Sequence, residues 1–218
     1  MSDTETGATP LPRGRHKLGA EEVKASQRAR LLQAMEDLVD EVGYSKASVP
    51  KVARRARVTD RAFYALFSDK AECFIALCEQ HGDALREELS DAAREMSGAE
   101  DMFAAFDAGL HRYLRWWMER PGGSRAFFVE ILTVGDRAHT SRDSRAALFA
   151  QTLRGIGTLL RAQAGIDGAP AEIDATAAAA LATELVAREV RAGRIQRLPE
   201  LHADLRRVLL LLLLGREM

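Results

Sequence analysis

The sequence has few of the residues that mark secreted, membrane-spanning or disulfide-bonded proteins. Only two of its 218 residues are cysteines, Cys73 and Cys78. Five positions apart on a helix, they lie about 7–8 Å apart along the axis, too far for a disulfide, so we expect buried thiols. The longest apolar run, Val208 to Leu214, covers about 10 Å of helix, whereas a bilayer needs about 20 residues. The first ten residues also lack the apolar core of a secretory signal, and we therefore expect a cytoplasmic protein that does not span a membrane.

Strand patterns and the common motifs of enzymes are also missing. No segment alternates apolar and polar residues, whereas apolar residues recur at every third or fourth position along most of the chain. Histidines are scattered, and the sequence has no His/Cys cluster, activated nucleophile or glycine-rich phosphate loop. With 47% apolar residues, the chain can bury a sizeable core. The sequence predicts an all-α protein without a catalytic residue, a cofactor or a metal.

The chain divides into three predicted parts. Residues 1–20 contain prolines and glycines and few apolar side chains, which predicts a flexible N-terminal arm. Residues 21–70 are predicted to form a helix-turn-helix DNA-binding domain. Residues 71–218 are predicted to form a larger helical domain that binds a ligand and dimerises.

Two boundaries inside the larger domain follow from turn-forming residues. Pro121-Gly122-Gly123 is predicted to end one helix, with Ser124 starting the next. The polar run from Gly135 to Asp143 predicts a loop, followed by a long helix over about 144–164.

A short stretch after the first helix predicts two small helices joined by a tight turn at Arg57-Val58. Ser48 and Thr59 are suited to cap the two helices, and Ser68 is suited to cap the longer helix that follows. Phe63 and Phe67 share one face of the second small helix at i, i+4 and are predicted to point inward. This arrangement is typical of a helix-turn-helix, whose outer face meets DNA.

Positive charge is concentrated around this motif. Residues 13–70 hold 13 Lys and Arg against 8 Asp and Glu, or +5, although the whole chain carries −1. Arg61 is the candidate base reader, because a guanidinium can donate two hydrogen bonds to guanine. Asp60 either accepts from cytosine or, as we favour, complements its helix N-terminus. Hydroxyls and lysines nearby are suited to contact phosphates. The candidate DNA-binding residues are Lys46, Ser48, Lys51, Thr59, Asp60, Arg61, Tyr64 and Lys70.

Over residues 25–75 the chain resembles the TetR family of bacterial one-component transcription regulators. The matching motifs are Gly43-Tyr44, Ala47-Ser48-Val49, Val52-Ala53, Ala56-Arg57-Val58-Thr59, Phe63-Tyr64, Phe67 and Asp69-Lys70-Ala71-Glu72. The resemblance implies phosphate contacts for Tyr64 and Lys70, a four-helix dimer interface, and transmission of a ligand signal by the helix that begins at Asp69.

The chain departs from the family pattern at a few positions. Arg57 replaces a common turn glycine, Leu66 a common histidine, Ala71 a common glutamate, and Arg61-Ala62 a common glycine-threonine. If residue 57 adopts a positive φ, arginine there costs about 1 kcal/mol relative to glycine. The DNA sequence that the family prefers cannot therefore be transferred to this chain.

Aromatic residues concentrate in one part of the larger domain. They lie on more than one helix face, so they are suited either to line a ligand pocket or to fill an ordinary core. We expect the ligand to be a small apolar effector. The candidate ligand-binding residues are Phe103, Phe106, His111, Tyr113, Trp116, Trp117, Phe127 and Phe128.

The last helix is apolar on all sides, and such a helix must be buried on all sides. The end of a small domain can hardly enclose it, which predicts pairing with a second copy. The candidate dimerisation residues are Leu181, Leu185, Leu201, Leu205, Val208, Leu209 and Leu212.

These features predict a ligand-responsive repressor that binds a palindromic DNA operator as a homodimer. Two-fold symmetry predicts half-sites about 34–36 Å apart, or a multiple of that distance. Two other interpretations remain. One is an all-α enzyme that uses Asp37, Asp40 and Glu41 as metal ligands, although these acids better fit an exposed helix face. The other is a protein-interaction module whose basic end binds an acidic partner.

Overall fold

A computed structural model describes residues 19–215 of the chain, and within that range the fold is all-α, with no strand. The arm predicted for residues 1–20 lies outside the described residues, apart from its last two. No helix within residues 19–215 is long and apolar enough to cross a membrane. The α-helices are α1 (Ala20–Val42), α2 (Val49–Ala56), α3 (Asp60–Tyr64), α4 (Lys70–Ser97), α5 (Met102–Met118), α6 (Pro121–Phe128), α7 (Asp136–Gln163), α8 (Glu172–Arg191) and α9 (His202–Leu214). Short 3-10 helices span Tyr44–Lys46, Glu130–Thr133 and Ile195–Leu201.

The N-terminal helices build one hydrophobic core, and we call this part the head (α1 to α3 and the first half of α4). Ala126, Ile131 and Ala138 from the helical body complete that core. Leu31, Met35 and Val39 are fully buried and lie four residues apart, so they form one stripe of α1. The stripe packs with Phe63, Phe74 and their neighbours in one cluster. Phe63 and Phe67 are both buried as predicted, but α3 ends at Tyr64, so Phe67 lies beyond the helix and the two rings do not share a helix face.

The turn between α2 and α3 depends on a left-handed residue. Arg57 has φ 56° and ψ 45°, and it is the one non-glycine with positive φ within residues 19–215. Arg57 N donates to Arg54 O at 3.2 Å and Val58 N donates to Ala53 O at 3.0 Å. This pair of hydrogen bonds is the Schellman arrangement, which ends α2 cleanly. Arg30 of α1 also donates to Ala56 O at 3.2 Å, which fixes the C-terminus of α2 against α1.

The helix caps agree with the sequence at α3 and differ at α4. Thr59 caps α3, accepting from Ala62 N at 3.1 Å as predicted. The prediction that Ser68 caps α4 is wrong, because Asp69 occupies that position and accepts from Glu72 N at 2.8 Å. Ser68 instead donates to the Glu72 carboxylate, completing a reciprocal cap. These hydrogen bonds lower the pKa of both Asp69 and Glu72.

Helix α4 belongs to two hydrophobic cores. Its first half, including Phe74 and Leu77, lies in the core of the head, whereas Leu85, Leu89 and Met96 lie in a second core built with α5 to α9. Cys73 and Cys78 are free, buried thiols in the first half, and burial raises the pKa of each to about 12. One continuous helix therefore links the head to the rest of the protein.

Two predicted boundaries in the larger domain are wrong. Helix α6 begins at Pro121 and not at Ser124, because Gly123 in its first turn lets the helix approach His81 of α4 closely; an added Cβ would lie 2.6 Å from the His81 ring. Helix α7 begins at Asp136, so the predicted loop at 135–143 is helical. Ala138 is the sole fully buried residue of that stretch, and a helix that buries so little shows no apolar stripe in its sequence.

The C-terminal helix is more enclosed by its own chain than the sequence predicts. Leu201, Leu205 and Leu209 are buried against α5, α7 and α8 within the single chain, so they do not lie on a surface open to a second copy. This corrects the assignment of these three leucines to a dimer surface. Leu181, Leu185, Val208 and Leu212 remain half-buried, and Leu211 is 52% exposed.

Replacement of Arg57 by glycine tests the strain in the turn. Because glycine adopts positive φ without steric cost, we expect Arg57→Gly to raise the free energy of unfolding by up to about 1 kcal/mol. Arg54→Gly, an exposed change inside α2, is the matched control and should lower it by about 1 kcal/mol. Urea denaturation measures both, and a destabilised Arg57→Gly variant would contradict the strain.

Candidate nucleic-acid interface and effector cavity

The outer surface of α2 and α3 is held in place from beneath. Val52, Ala53 and Ala56 bury one face of α2 against α1, and Phe63 anchors α3. The Phe63 ring meets the Phe67 ring at 5.6 Å. These contacts determine which residues of the motif face solvent.

The predicted contact residues of α3 are exposed. Thr59, Asp60 and Arg61 are exposed, and Tyr64 is 59% exposed with its ring edge against Phe63. Asp60 lies in the first turn of α3, where a carboxylate complements the positive end of the helix. These residues therefore form one accessible surface beside the turn.

The predicted residues of the α2 side are also accessible, but two of them contact each other. Lys51 Nζ donates to Lys46 O at 2.9 Å, which leaves its ammonium at the surface. Ser48 precedes α2 and is half-buried, and its side chain makes no capping hydrogen bond. By contrast Arg55 forms two hydrogen bonds of 2.6 and 2.7 Å with Glu41, so its charge is balanced within the head.

Lys70 has a different role from a free surface cation. Its Nζ donates to Tyr44 O and Ala47 O, each at 3.0 Å, and lies 4.0 Å from the centre of the Tyr44 ring. Burial lowers its pKa. Lys70 therefore fastens the start of α4 to the segment before α2, and one of its three N–H groups is left for another acceptor.

A cavity of about 110 Å³ lies in the second core, between α4, α5, α6, α7 and α8. Four of the predicted ligand residues line it, namely Tyr113, Trp117, Phe127 and Phe128. The Trp117 ring is tilted against the Phe127 ring at 4.8 Å and meets the Phe128 ring edge-on at 4.5 Å. Burial raises the pKa of Tyr113.

A smaller apolar cavity of about 40 Å³ adjoins the first one. Leu89, Tyr113 and Phe149 line both cavities, and Phe106 lines the smaller one. The Tyr113 and Phe149 rings are stacked with centres 5.8 Å apart. The two cavities therefore lie on either side of shared apolar side chains in the helical body.

The other three predicted ligand residues lie elsewhere. Phe103 is half-buried at the edge of the second core. His111 stacks on His202 with ring centres 3.7 Å apart. Trp116 turns away from its neighbour Trp117 and lies against His81 and Arg120. Neighbouring positions on a helix point in different directions, so one cavity cannot receive all of them.

The first cavity also has charged residues that the sequence did not single out. Four arginines line it, and two acidic residues accompany them. They come from α4, α7 and α8, where a charged residue ordinarily lies on a solvated face. Because residues 135–143 are predicted as a loop, the sequence does not predict the side of α7 that faces α4. The missed residues are Asp83, Arg86, Arg142, Arg145, Glu184 and Arg191.

The acids of α1 that could have served an enzyme have local partners. Glu41 pairs with Arg55, and Asp37 accepts from Gln33 at 2.9 Å. Within residues 19–215 no group of three or more His, Cys, Asp or Glu side chains could hold a metal ion.

Comparison with known proteins agrees with this geometry. Residues 31–77 match the family model described as bacterial regulatory proteins, tetR family. Curated protein sequences give no significant match. Among solved structures, FadR from Bacillus subtilis, a transcriptional regulator in complex with stearoyl-CoA, is 17% identical with a TM-score of 0.68, covering 87% of this chain and 99% of that one.

Two further structures share the fold. The fatty acid degradation regulator FadR from Bacillus halodurans is 16% identical with a TM-score of 0.67, covering 84% of this chain and 94% of that chain. PfmR, a TetR family transcriptional regulator from Thermus thermophilus, is 19% identical with a TM-score of 0.59, covering 83% of this chain and 97% of that chain.

The described residues therefore form an all-α fold with an N-terminal helix-turn-helix. The head matches the tetR family of bacterial regulatory proteins over residues 31–77, and the chain shares the fold of these solved regulators.

Removal of the Lys70 amine tests its positioning role. Lys70→Met leaves the Tyr44 and Ala47 carbonyls without their donor, so we expect a loss of about 1–3 kcal/mol in the free energy of unfolding. Lys51→Met removes an exposed amine with a similar backbone contact and should change it by less than about 0.5 kcal/mol. Equal effects of the two substitutions in urea denaturation would show that Lys70 is an ordinary surface residue.

Proposed function

We propose that the protein is a ligand-responsive repressor that binds a palindromic operator as a homodimer. The observation that carries the proposal is the exposure of Arg61 and Tyr64 on α3, directly after a left-handed turn and above a buried phenylalanine pair. A recognition helix needs this combination, because its first residues must reach base edges while its other face is fixed. The proposed role is regulatory and not enzymatic, and a regulator of chromosomal DNA acts in the cytoplasm.

Each exposed residue of the motif has a distinct proposed role. Arg61 reads a guanine, since its guanidinium is free to donate two parallel hydrogen bonds. Tyr64, Thr59 and Ser48 donate hydroxyl hydrogen bonds to phosphates, and Lys46 and Lys51 add attraction to the backbone. Asp60 supports the start of α3. Lys70 contributes its remaining N–H to a phosphate while it positions the head.

The proposed dimer surface is the outer side of α8 and α9. These helices pack against each other, and Leu181 and Leu185 of α8 and Val208 and Leu212 of α9 are half-buried in the single chain. Leu211 adds an exposed apolar side chain beside them. A continuous apolar surface of this kind is suited to pair with its own copy about a two-fold axis.

The two adjoining cavities are the proposed effector site. Their lining of aromatic and aliphatic side chains suits an elongated apolar ligand. FadR from Bacillus subtilis, which shares the fold, has been solved with stearoyl-CoA, a ligand with a long apolar chain. Binding that favours one spacing of the two heads over the other would release the operator.

DNA selected from a random pool tests the contact residues. We expect Arg61→Ala to lose about 1–3 kcal/mol of discrimination at one base pair, and Tyr64→Phe to weaken binding to all sequences about equally. Arg197→Ala, an exposed arginine far along the chain, is the control and should change neither. Fluorescence anisotropy with the selected duplex and its single-base variants measures all three. If the Arg61→Ala variant keeps the DNA sequence preference of the wild type, Arg61 does not read a base.

Charge placed on the outer side of α9 tests the dimer. The double variant Val208→Glu, Leu211→Glu brings like charges together across a two-fold axis, so we expect a monomer that binds the selected duplex weakly. Val23→Glu, an exposed apolar residue of α1 that is 39% exposed, is the control. Light scattering gives the mass of each, and an unaltered dimer mass in the double variant would rule out this surface.

A further inference from the structure

Arg145 of α7 is a half-buried cation inside a largely apolar cavity. Its Nε is buried and has no hydrogen-bond partner within residues 19–215. The other arginines of the cavity have acidic neighbours, since Arg86 lies 3.5 Å from Asp83, Arg142 lies 3.7 Å from Asp143, and Arg191 pairs with Glu184. Within the described part of the chain, no carboxylate forms such an ion pair with Arg145.

The position of Arg145 is set by small contacts. Its stem crosses α4 at Gly82, where an added Cβ would lie 2.6 Å from Arg145 Cδ. Its guanidinium lies 5.2 Å from the centre of the Phe127 ring. Its Nη1 donates to Ser141 Oγ, and Ser141 donates to Glu79 of α4 at 2.9 Å. A buried guanidinium is costly without an opposite charge, and burial lowers its pKa.

We propose that the effector is an amphiphile whose anionic head, a carboxylate on an apolar chain, pairs with Arg145. This inference rests on the proposed effector site and gives the ligand its chemical class. A carboxylate beside the Arg145 guanidinium supplies the ion-pair partner that this residue lacks. The apolar chain then lies along Trp117 and Phe128 in the first cavity. The expectation of a purely apolar effector is thereby replaced.

The same side of α7 connects this anion to the head. Arg137, Ser141 and Arg145 are four residues apart and form one stripe that faces α4. Arg137 donates to Asp69, the residue that caps α4, at 2.6 Å. A ligand that draws Arg145 away from Gly82 therefore shifts α7 against α4, and the shift reaches Asp69 and Lys70 at the head.

Direct binding of decanoate, with 1-decanol as its uncharged counterpart, tests the inference on the full chain. We expect decanoate to bind at least about tenfold more tightly than 1-decanol, because a charge-assisted hydrogen bond contributes that much. Because Trp117 lines the cavity, tryptophan fluorescence reports binding. Calorimetry measures the same affinities independently. Equal affinities, or no binding of either compound, would overturn the proposal.

The variant Arg145→Leu identifies the residue responsible. We expect it to lose the preference for decanoate while binding 1-decanol within about threefold of the wild type. Its melting temperature should not fall, because the substitution removes an unpaired buried charge. Arg142→Leu removes an exposed, paired charge from the same helix and should weaken decanoate binding far less. An equal loss in both would mean general attraction and would contradict a specific role for Arg145. Should Arg145→Leu not fold, Arg145→Lys must keep the preference and Arg145→Gln must lose it.

The link to the head needs one further variant. Arg137→Gln should bind decanoate as the wild type does and yet require several-fold more of it to release the selected duplex. If this variant releases the duplex at the same decanoate concentration as the wild type, the coupling through α7 is wrong. The binding measurements use no DNA, so their failure refutes the anionic effector alone, whereas failure of the DNA selection refutes the repressor function alone.

Discussion

The shared packing of α4 is the constraint on which the rest of the structure depends. One uninterrupted helix supplies Phe74 and Leu77 to the core of the head and Leu85 and Leu89 to the core of the helical body. At its start, Lys70 fastens it to the backbone before α2. Lys70 and Glu79 are nine positions apart, or about 14 Å of helix, and in the proposed function α4 carries displacements of the helical body to the helix-turn-helix.

The head could be predicted from the sequence because its signals are local. Three of these signals depend on residues within a few positions of one another. They are the Thr59 cap, the left-handed turn at Arg57, and the buried pair of Phe63 in α3 and Phe67 just after it. The cap at α4 was missed because Ser68 and Asp69 are both good capping residues, and only the reciprocal contact with Glu72 distinguishes them. The DNA contacts remain predictions, since exposure alone does not establish them.

The helical body was harder to predict because its signals depend on distant partners. The start of α7 is polar on most sides, and its position follows from contacts such as Arg137 with Asp69, 68 residues apart. In the sequence Gly123 predicts a helix end, but in the structure it lies inside α6, where the close approach to His81 leaves no room for a Cβ. Sequence periodicity placed Leu205 and Leu209 on an apolar helix, yet which leucines meet their own chain and which face outward depends on how α5, α7 and α8 enclose α9.

Chemical protection of guanine N7 on a duplex selected by the protein tests the central claim most directly, because N7 lies in the major groove. We expect protection in two symmetric half-sites whose centres are about one or more helical turns apart. Replacing Arg61 with alanine should abolish the protection of one guanine in each half-site. Protection spread evenly along the DNA, or a pattern that Arg61→Ala leaves unchanged, would contradict recognition by α3.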